Sequence, residues 1–193
     1  MTKPDQAARP TQAPEASDNP EPRTFAGVLR AHQSMVFSIA YHFLRDRSAA
    51  EEVAQDVFLQ LHRRFNDAGL EHSFESDMHL SFWLRKVASH RSIDYARKQK
   101  SNAAICLEDA PATSMASAEE QPRDHFLHRR LQALIGSLPE KPRMVMVLRY
   151  QEDMMPEEIA SVLDMPVRTV KSHLQRSIAM LREKIDRTMG DVR

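Results

Sequence analysis

The chain has 193 residues, and its 27 Lys plus Arg are matched by 27 Asp plus Glu, so bulk charge gives no license to infer a nucleic-acid partner. Four glycines and short β-branched runs favour helix over sheet, and the length suits one medium domain or two small ones, with the pattern favouring two. Cys106 is the single cysteine, which excludes an intrachain disulfide or thiolate cluster and suits a reducing cytoplasm. No apolar run is long enough to span a bilayer, and the first residues lack the apolar centre of a secretory signal.

Residues 1–23, rich in Pro, Ala and polar side chains, cannot bury enough apolar area to offset ordering and are expected to form a disordered tail. From Phe25, the positions Val28, Leu29, Met35, Val36, Ile39, Ala40 and Phe43 keep a helical period up to the polar break at residues 45–48. A second helix follows with Val53, Ala54, Val57, Phe58 and Leu61 on one face and Glu51, Glu52, Gln55, Asp56 and Gln60 exposed. The stretch 49–60 holds no Lys or Arg, so this face suits a basic protein partner. Residues 66–77 read as a loop around Gly69.

The most informative stretch is Phe82 to Lys100, FWLRKVASHRSIDYARKQK. Trp83, Leu84, Val87 and Ala88 recur at helical spacing, while Arg85, Lys86, Arg91, Arg97, Lys98 and Lys100 supply positive charge opposed only by Asp94. This surface suits a nucleic-acid backbone. Ser89, His90 and Arg91 interrupt the apolar stripe, as a short loop between two helices would. Trp83 has the apolar neighbours of a core residue, and Asp94 lies one turn from Arg97 and Lys98 as a local helical ion pair.

Residues 101–121 carry Glu108, Asp109, Glu119 and Glu120 with small residues and no cation, the composition of a flexible acidic linker. A helix through Phe126, Leu127, Leu131, Leu134 and Ile135 is expected to end near Gly136. The next unit opens at Leu138-Pro139 and turns Val145, Val147, Leu148 and Tyr150 inward. Pro156 sits at a first helical turn, where its missing N–H does no harm. The helix Glu157 to Leu163 stops at Asp164-Met165-Pro166, and its successor aligns Val167, Val170, Leu174, Ile178, Leu181 and Ile185.

These are the anchors of a helix-turn-helix. Arg168, Thr169, Ser172, Gln175 and Arg176 fall opposite the core, with Lys171 and His173 on the flanks, as a helix lying in a DNA major groove requires. The bland alternative is an ordinary solvated helix face. His125 and His128 lie three apart without a third ligand, no Glu-x-x-His pair occurs, and neither a Gly-rich phosphate loop nor a nucleophile elbow is found, so no metal, cofactor or catalysis is expected.

The order AEEVAQDVFLQLHRR (50–64), FWLRKVASHRSIDYARK (82–98), an acidic linker, LPEKPRMVMVLRY (138–150) and EEIASVLDMPVRTVKSHLQR (157–176) resembles a bacterial RNA polymerase sigma factor of the extracytoplasmic-function type, in the sigma-70 family. The resemblance implies an all-α protein of two small helical domains, region 2 at 24–100 and region 4 at 123–188, joined by a linker at 101–122. It implies that Glu51, Glu52, Gln55, Asp56, Phe58 and Leu59 grip core RNA polymerase. Ser89, His90, Arg91, Tyr95, Arg97, Lys98 and Lys100 would take the melted downstream promoter element. Arg168, Thr169, Lys171, Ser172, His173, Gln175 and Arg176 would read the upstream element. The chain departs from the family at Ser89-His90, where Arg-Asn is usual, and at Met155, Asp164 and Pro166, where a capping Ser and a turn Gly are usual. An acidic linker and separable domains would also permit sequestration by an anti-sigma factor. The competing reading is a helix-turn-helix regulator of the response-regulator type without affinity for polymerase, which shares only the last part of the pattern.

Overall fold

The computed structural model describes residues 24–68, 74–105 and 134–190; among these there is no strand, and no helix is long and apolar enough to cross a membrane. Helix α1 spans Phe25–Leu44. The Thr24 hydroxyl accepts from the Gly27 N–H at 3.1 Å, filling one of the donors a helix start leaves open. It ends at Arg45, whose φ of 62° puts a left-handed residue after the last turn. Helix α2, Arg47–Ala68, is capped by Asp46, which accepts from the Ala49 N–H at 2.8 Å. Helix α3, Asp77–Ile105, is capped in the same way by Ser76 through the His79 N–H at 3.1 Å.

These three helices form the first domain around Val36, Ile39, Phe43, Val57, Leu61, Leu80 and Leu84, all essentially buried. Apolar side chains of this size each contribute about 1.5–3 kcal/mol when buried. Phe74, 3% exposed, and its edge-on contacts with Phe65 and Trp83 close the end of the core between α2 and α3.

Three expectations are corrected. Helix α2 runs through Ala68, so the loop expected from residue 66 starts later. Helix α3 is continuous, with no loop at Ser89, His90 and Arg91. Ser89 and Ser92 are fully buried, and the Ser92 hydroxyl donates to the Ala88 carbonyl one turn back at 2.7 Å. Two small side chains, of which only Ser92 satisfies its hydroxyl on the helix backbone, thus continue a buried face rather than break it. The same helix extends to Ile105, past the expected start of the linker at Ser101. The rest of the linker and the terminal tail lie outside the described residues.

The second domain comprises α4 (Glu140–Tyr150), α5 (Pro156–Val162) and α6 (Val167–Gly190). Helix α4 buries Met144 to Leu148, whereas Tyr150, expected to face inward, is 55% exposed at its last position. Pro156 opens α5 as expected. The Glu158 carboxylate reaches back to the Met155 N–H at 2.6 Å, so one half of a capping box forms without a hydroxyl cap.

Helix α5 ends with the Met165 N–H donating to the Ala160 carbonyl at 3.0 Å around Asp164, whose φ of 49° occupies the left-handed position where glycine is commonest. Helix α6 then buries Val170, Ser177 and Leu181, with Leu174 and Ile178 half-buried between them. The two domains pack directly: α4 lies against α1 and α3, and α5 against α3, so buried residues of both belong to one continuous apolar cluster.

Candidate nucleic-acid interface

On α2, Glu51, Glu52, Gln55 and Asp56 are exposed, as their helical phase requires, and Leu59 beside them is 48% exposed. Phe58 is corrected from this face to the core, where it is 8% exposed. Glu51 accepts from Arg47 Nε at 2.9 Å one turn back. Glu52 accepts from the Tyr95 hydroxyl at 3.3 Å, and Gln60 accepts from Arg91 Nη2 at 3.2 Å, so the acidic face of α2 is stitched to the basic helix beside it.

The downstream-element residues on α3 divide by exposure. Arg91, Arg97, Lys98 and Lys100 are exposed, His90 and Tyr95 half-buried, and Ser89 fully buried with a hydroxyl that has no hydrogen-bond partner. Asp94 lies 3.6 Å from Arg97, the expected local pair. Trp83 is half-buried edge-on to Phe74, with the Arg64 guanidinium 5.6 Å from its ring, which supports a packing role.

Much of the α3 cationic surface faces the second domain, where carboxylates meet it. Lys86 Nζ is 2.6 Å from Asp164 Oδ1. Arg97 Nε and Lys100 Nζ lie 3.1 and 2.9 Å from the two oxygens of Glu140. Arg85 Nε sits 3.4 Å from Glu152, whose side chain is only 8% exposed. His90 Nε2 lies 3.1 Å from the Val162 carbonyl oxygen and 3.5 Å from Asp164 Oδ2. Hydrogen bonds from Lys100 and then Arg97 hold the Glu140 carboxyl below its ordinary value, and the bond from Lys86 does the same for Asp164. Burial instead pushes Glu152 up, with Arg85 opposing.

On the helix-turn-helix, Arg168, Lys171, Gln175 and Arg176 are exposed, and Thr169, Ser172 and His173 are half-buried along the same side of α6. Lys171 pairs with Glu157 of α5 at 3.0 Å, which holds that carboxyl below its usual range. Burial lowers the His173 imidazole, helped by the positive Arg176 and Lys141, so the ring is held towards its neutral form.

Sequence reasoning missed the roles of Glu140, Glu152 and Asp164. It also missed the junction of Arg45 and Arg143, where Arg143 donates to the Phe43 carbonyl at 3.3 Å and stacks 5.1 Å from its ring. No local pattern signals contacts between residues 40 to 100 apart in the chain.

Residues 28–102 match the family model of sigma-70 region 2, and residues 128–181 match that of sigma-70 region 4. The chain is similar to the ECF RNA polymerase sigma factor SigW of Bacillus subtilis, 26% identical over 171 residues that cover 83% of this chain and 88% of the relative. It is likewise similar to the RNA polymerase sigma-E factor of Streptomyces avermitilis, 28% identical over 88% of this chain and 89% of that one.

Among solved structures it resembles the sigma factor RpoE of Bartonella quintana in complex with the anti-sigma factor NepR. The TM-score is 0.65 at 17% identity, covering 84% of this chain and 96% of that one. CnrH bound to the cytosolic domain of CnrY matches with a TM-score of 0.58 at 20% identity, covering 84% and 87%. At such identities these likenesses bear on the fold.

Proposed function

Because the chain belongs to the extracytoplasmic-function sigma factors of the sigma-70 family, which direct promoter recognition and opening in transcription initiation, we propose that three of its faces divide that work. The acidic face of α2, with Glu51, Glu52, Gln55, Asp56 and Leu59, docks on core RNA polymerase. The α3 cations Arg91, Arg97, Lys98 and Lys100, with Tyr95 and His90, hold the melted downstream element, the cations taking phosphates and the rings taking bases. Arg168, Thr169, Lys171, Ser172, His173, Gln175 and Arg176 on α6 read the upstream element as duplex. The factor acts by positioning polymerase and DNA, without a catalytic step of its own, and this work belongs in the cytoplasm.

The observation that carries this reading is that the acidic face of α2 and the basic helix α3 share one domain, joined through Glu52–Tyr95 and Gln60–Arg91, while a separate helix-turn-helix supplies the duplex reader. A response regulator needs only the second part. An anti-sigma factor as a further partner is supported by the fold shared with a sigma factor solved in complex with one.

Charge reversal by Asp56→Arg tests the assignment of α2. The side chain is exposed, so the domain should stay folded by circular dichroism while core-polymerase capture and run-off transcription fall. Undiminished capture by the folded variant would remove α2 from the interface. Run-off transcription with purified core enzyme on a genomic library then identifies the promoter class.

A further inference from the structure

Arg45 and Arg143 meet at the α1–α4 junction, away from the three proposed faces. Arg143 Nη1 donates to the Phe43 carbonyl at 3.3 Å and Nη2 to the Leu138 carbonyl at 3.1 Å, which anchors its guanidinium at a carbonyl just before Arg45 in the chain. Capping the end of α1 thus accounts for Arg143 in part, but packing does not account for Arg45. Its φ is 62°, a conformation that glycine or asparagine adopts with least strain, and its side chain makes no hydrogen bond or ion pair with the described residues. We propose that Arg45 and Arg143 bind the phosphates of a nucleoside di- or triphosphate, with the ring of Tyr41 taking its base.

The pair has the chemistry of an anion site. Both guanidinium groups are half-buried, each has a buried Nε–H without an acceptor, and burial lowers both pKa values, with Arg143 adding to the effect on Arg45. Two positive charges drawn out of water side by side repel, and a shared anion offsets both costs. The carboxylates nearby are committed elsewhere. Asp46 accepts from the Ala49 N–H, and Glu140, the acid that acts on Arg143, is held by Arg97 and Lys100. Each guanidinium is a planar fork that matches one phosphate, so two forks on different helices suit linked phosphates better than a single small anion.

Tyr41 adds the aromatic half of the site. It precedes Arg45 by one turn of α1, near enough for the two groups to act on each other electrostatically. Its ring is 37% exposed and lies parallel to Phe37, with centroids 5.7 Å apart and 11° between the planes, so packing holds an aromatic plane beside the cations. Bases stack on such a plane with little regard to their identity, which predicts similar affinity for purine nucleotides.

The test is isothermal titration calorimetry of the full chain with pyrophosphate, ATP, GTP and adenosine in a buffer containing EDTA. ATP and GTP should bind, pyrophosphate should bind about tenfold more weakly for want of a stacked base, and adenosine should give no measurable heat. Arg45→Asn tolerates the left-handed turn, and its fold is checked by circular dichroism. It should weaken ATP and pyrophosphate alike by about tenfold to a hundredfold, the loss of one charge-assisted contact. Arg143→Lys keeps the charge but not the fork and should weaken both as well. Tyr41→Ala should bring ATP and GTP down to the affinity of pyrophosphate and leave pyrophosphate itself unchanged.

Absence of binding by pyrophosphate and both nucleotides at millimolar concentration overturns the inference, as does a folded Arg45→Asn or Arg143→Lys variant that binds like the wild type. Equal affinity for pyrophosphate and the nucleotides, unaltered by Tyr41→Ala, overturns the nucleoside assignment. The DNA-facing cations are the rival site for phosphate. Lys98→Ala with Arg176→Ala should leave nucleotide affinity unchanged, since both side chains lie on other exposed surfaces. A loss in that double variant, with none in Arg45→Asn, would move the phosphates to the DNA-binding faces and end the proposal.

Discussion

Helices α3 and α6 carry the two basic surfaces of this molecule, and the fold treats them in opposite ways. Helix α6 spends its apolar stripe, from Val170 through Leu181, inside its own domain and turns Arg168, Gln175 and Arg176 to solvent. Helix α3 is covered on one side by α1 and α2 and on another by α4 and α5, so Arg85, Lys86, Arg97 and Lys100 meet carboxylates of the second domain. Two basic helices of similar cationic content therefore differ in availability. What decides is the charge that tertiary packing brings opposite, since an ion pair must be broken before a phosphate can take its place.

The largest expected effect breaks one side of this contrast and spares the other. Leu84 is fully buried in the first domain, and Leu84→Ala should cost about 2–5 kcal/mol there, measured by urea melts. Strand binding and polymerase capture should fail with it. Duplex binding through α6 should persist, because Leu138, Met146 and Leu181 give the second domain a satellite core of its own. Parallel loss of duplex binding would mean that the joint apolar cluster makes the two domains one folding unit, and the contrast between independent readers would collapse.

A smaller effect sharpens the exposed side. Arg176→Ala should weaken duplex binding by about 1–3 kcal/mol and change the selected upstream sequence if it contacts a base. Lys171→Ala should do less, and alike for all sequences, because Lys171 must first leave Glu157, with which it pairs on the exposed surface. Electrophoretic shifts with randomised duplexes measure them. Undiminished duplex binding by Arg176→Ala would remove that side chain from the reading face of α6.

The helices and their ends were legible in the sequence wherever one residue's chemistry decides locally. The stripes of α1 and α6, the first-turn Pro156, and Asp164 as a turn residue all belong to this kind. Both basic surfaces were legible for the same reason. Continuity of α3 was not, because Ser89, His90 and Arg91 read as a polar break, whereas Ser89 and Ser92 are small enough to be buried against the neighbouring helices. Phe58 follows its apolar phase into the core and so leaves the polymerase-facing set that the resemblance implied, whereas exposure of Tyr150 was misjudged, since a helical period leaves the flank of a stripe ambiguous. The partners Glu140, Glu152 and Asp164 were illegible, as nothing local marks a carboxylate that will face a cation of another domain.

Ser89 gives the smallest predicted effect and bears on whether α3 keeps its shape on DNA. Its hydroxyl is buried without a hydrogen-bond partner, in the middle of a continuous helix. An unsatisfied buried hydroxyl costs about 1–3 kcal/mol, and alanine has the better helix propensity by up to about 0.5 kcal/mol. Some of that gain is offset by the small void left behind, so Ser89→Ala should raise first-domain stability by up to about 1 kcal/mol. Ser92→Ala, which also loses the 2.7 Å bond to Ala88, should be closer to neutral, and the pair serves as an internal comparison in thermal melts. A side chain with no exposed surface has no means of contacting a base, so the downstream sequence selected by the Ser89→Ala factor should match that of the wild type. A changed selection would mean that α3 rearranges around Ser89 on DNA, and that the DNA-bound helix differs from the continuous one described above.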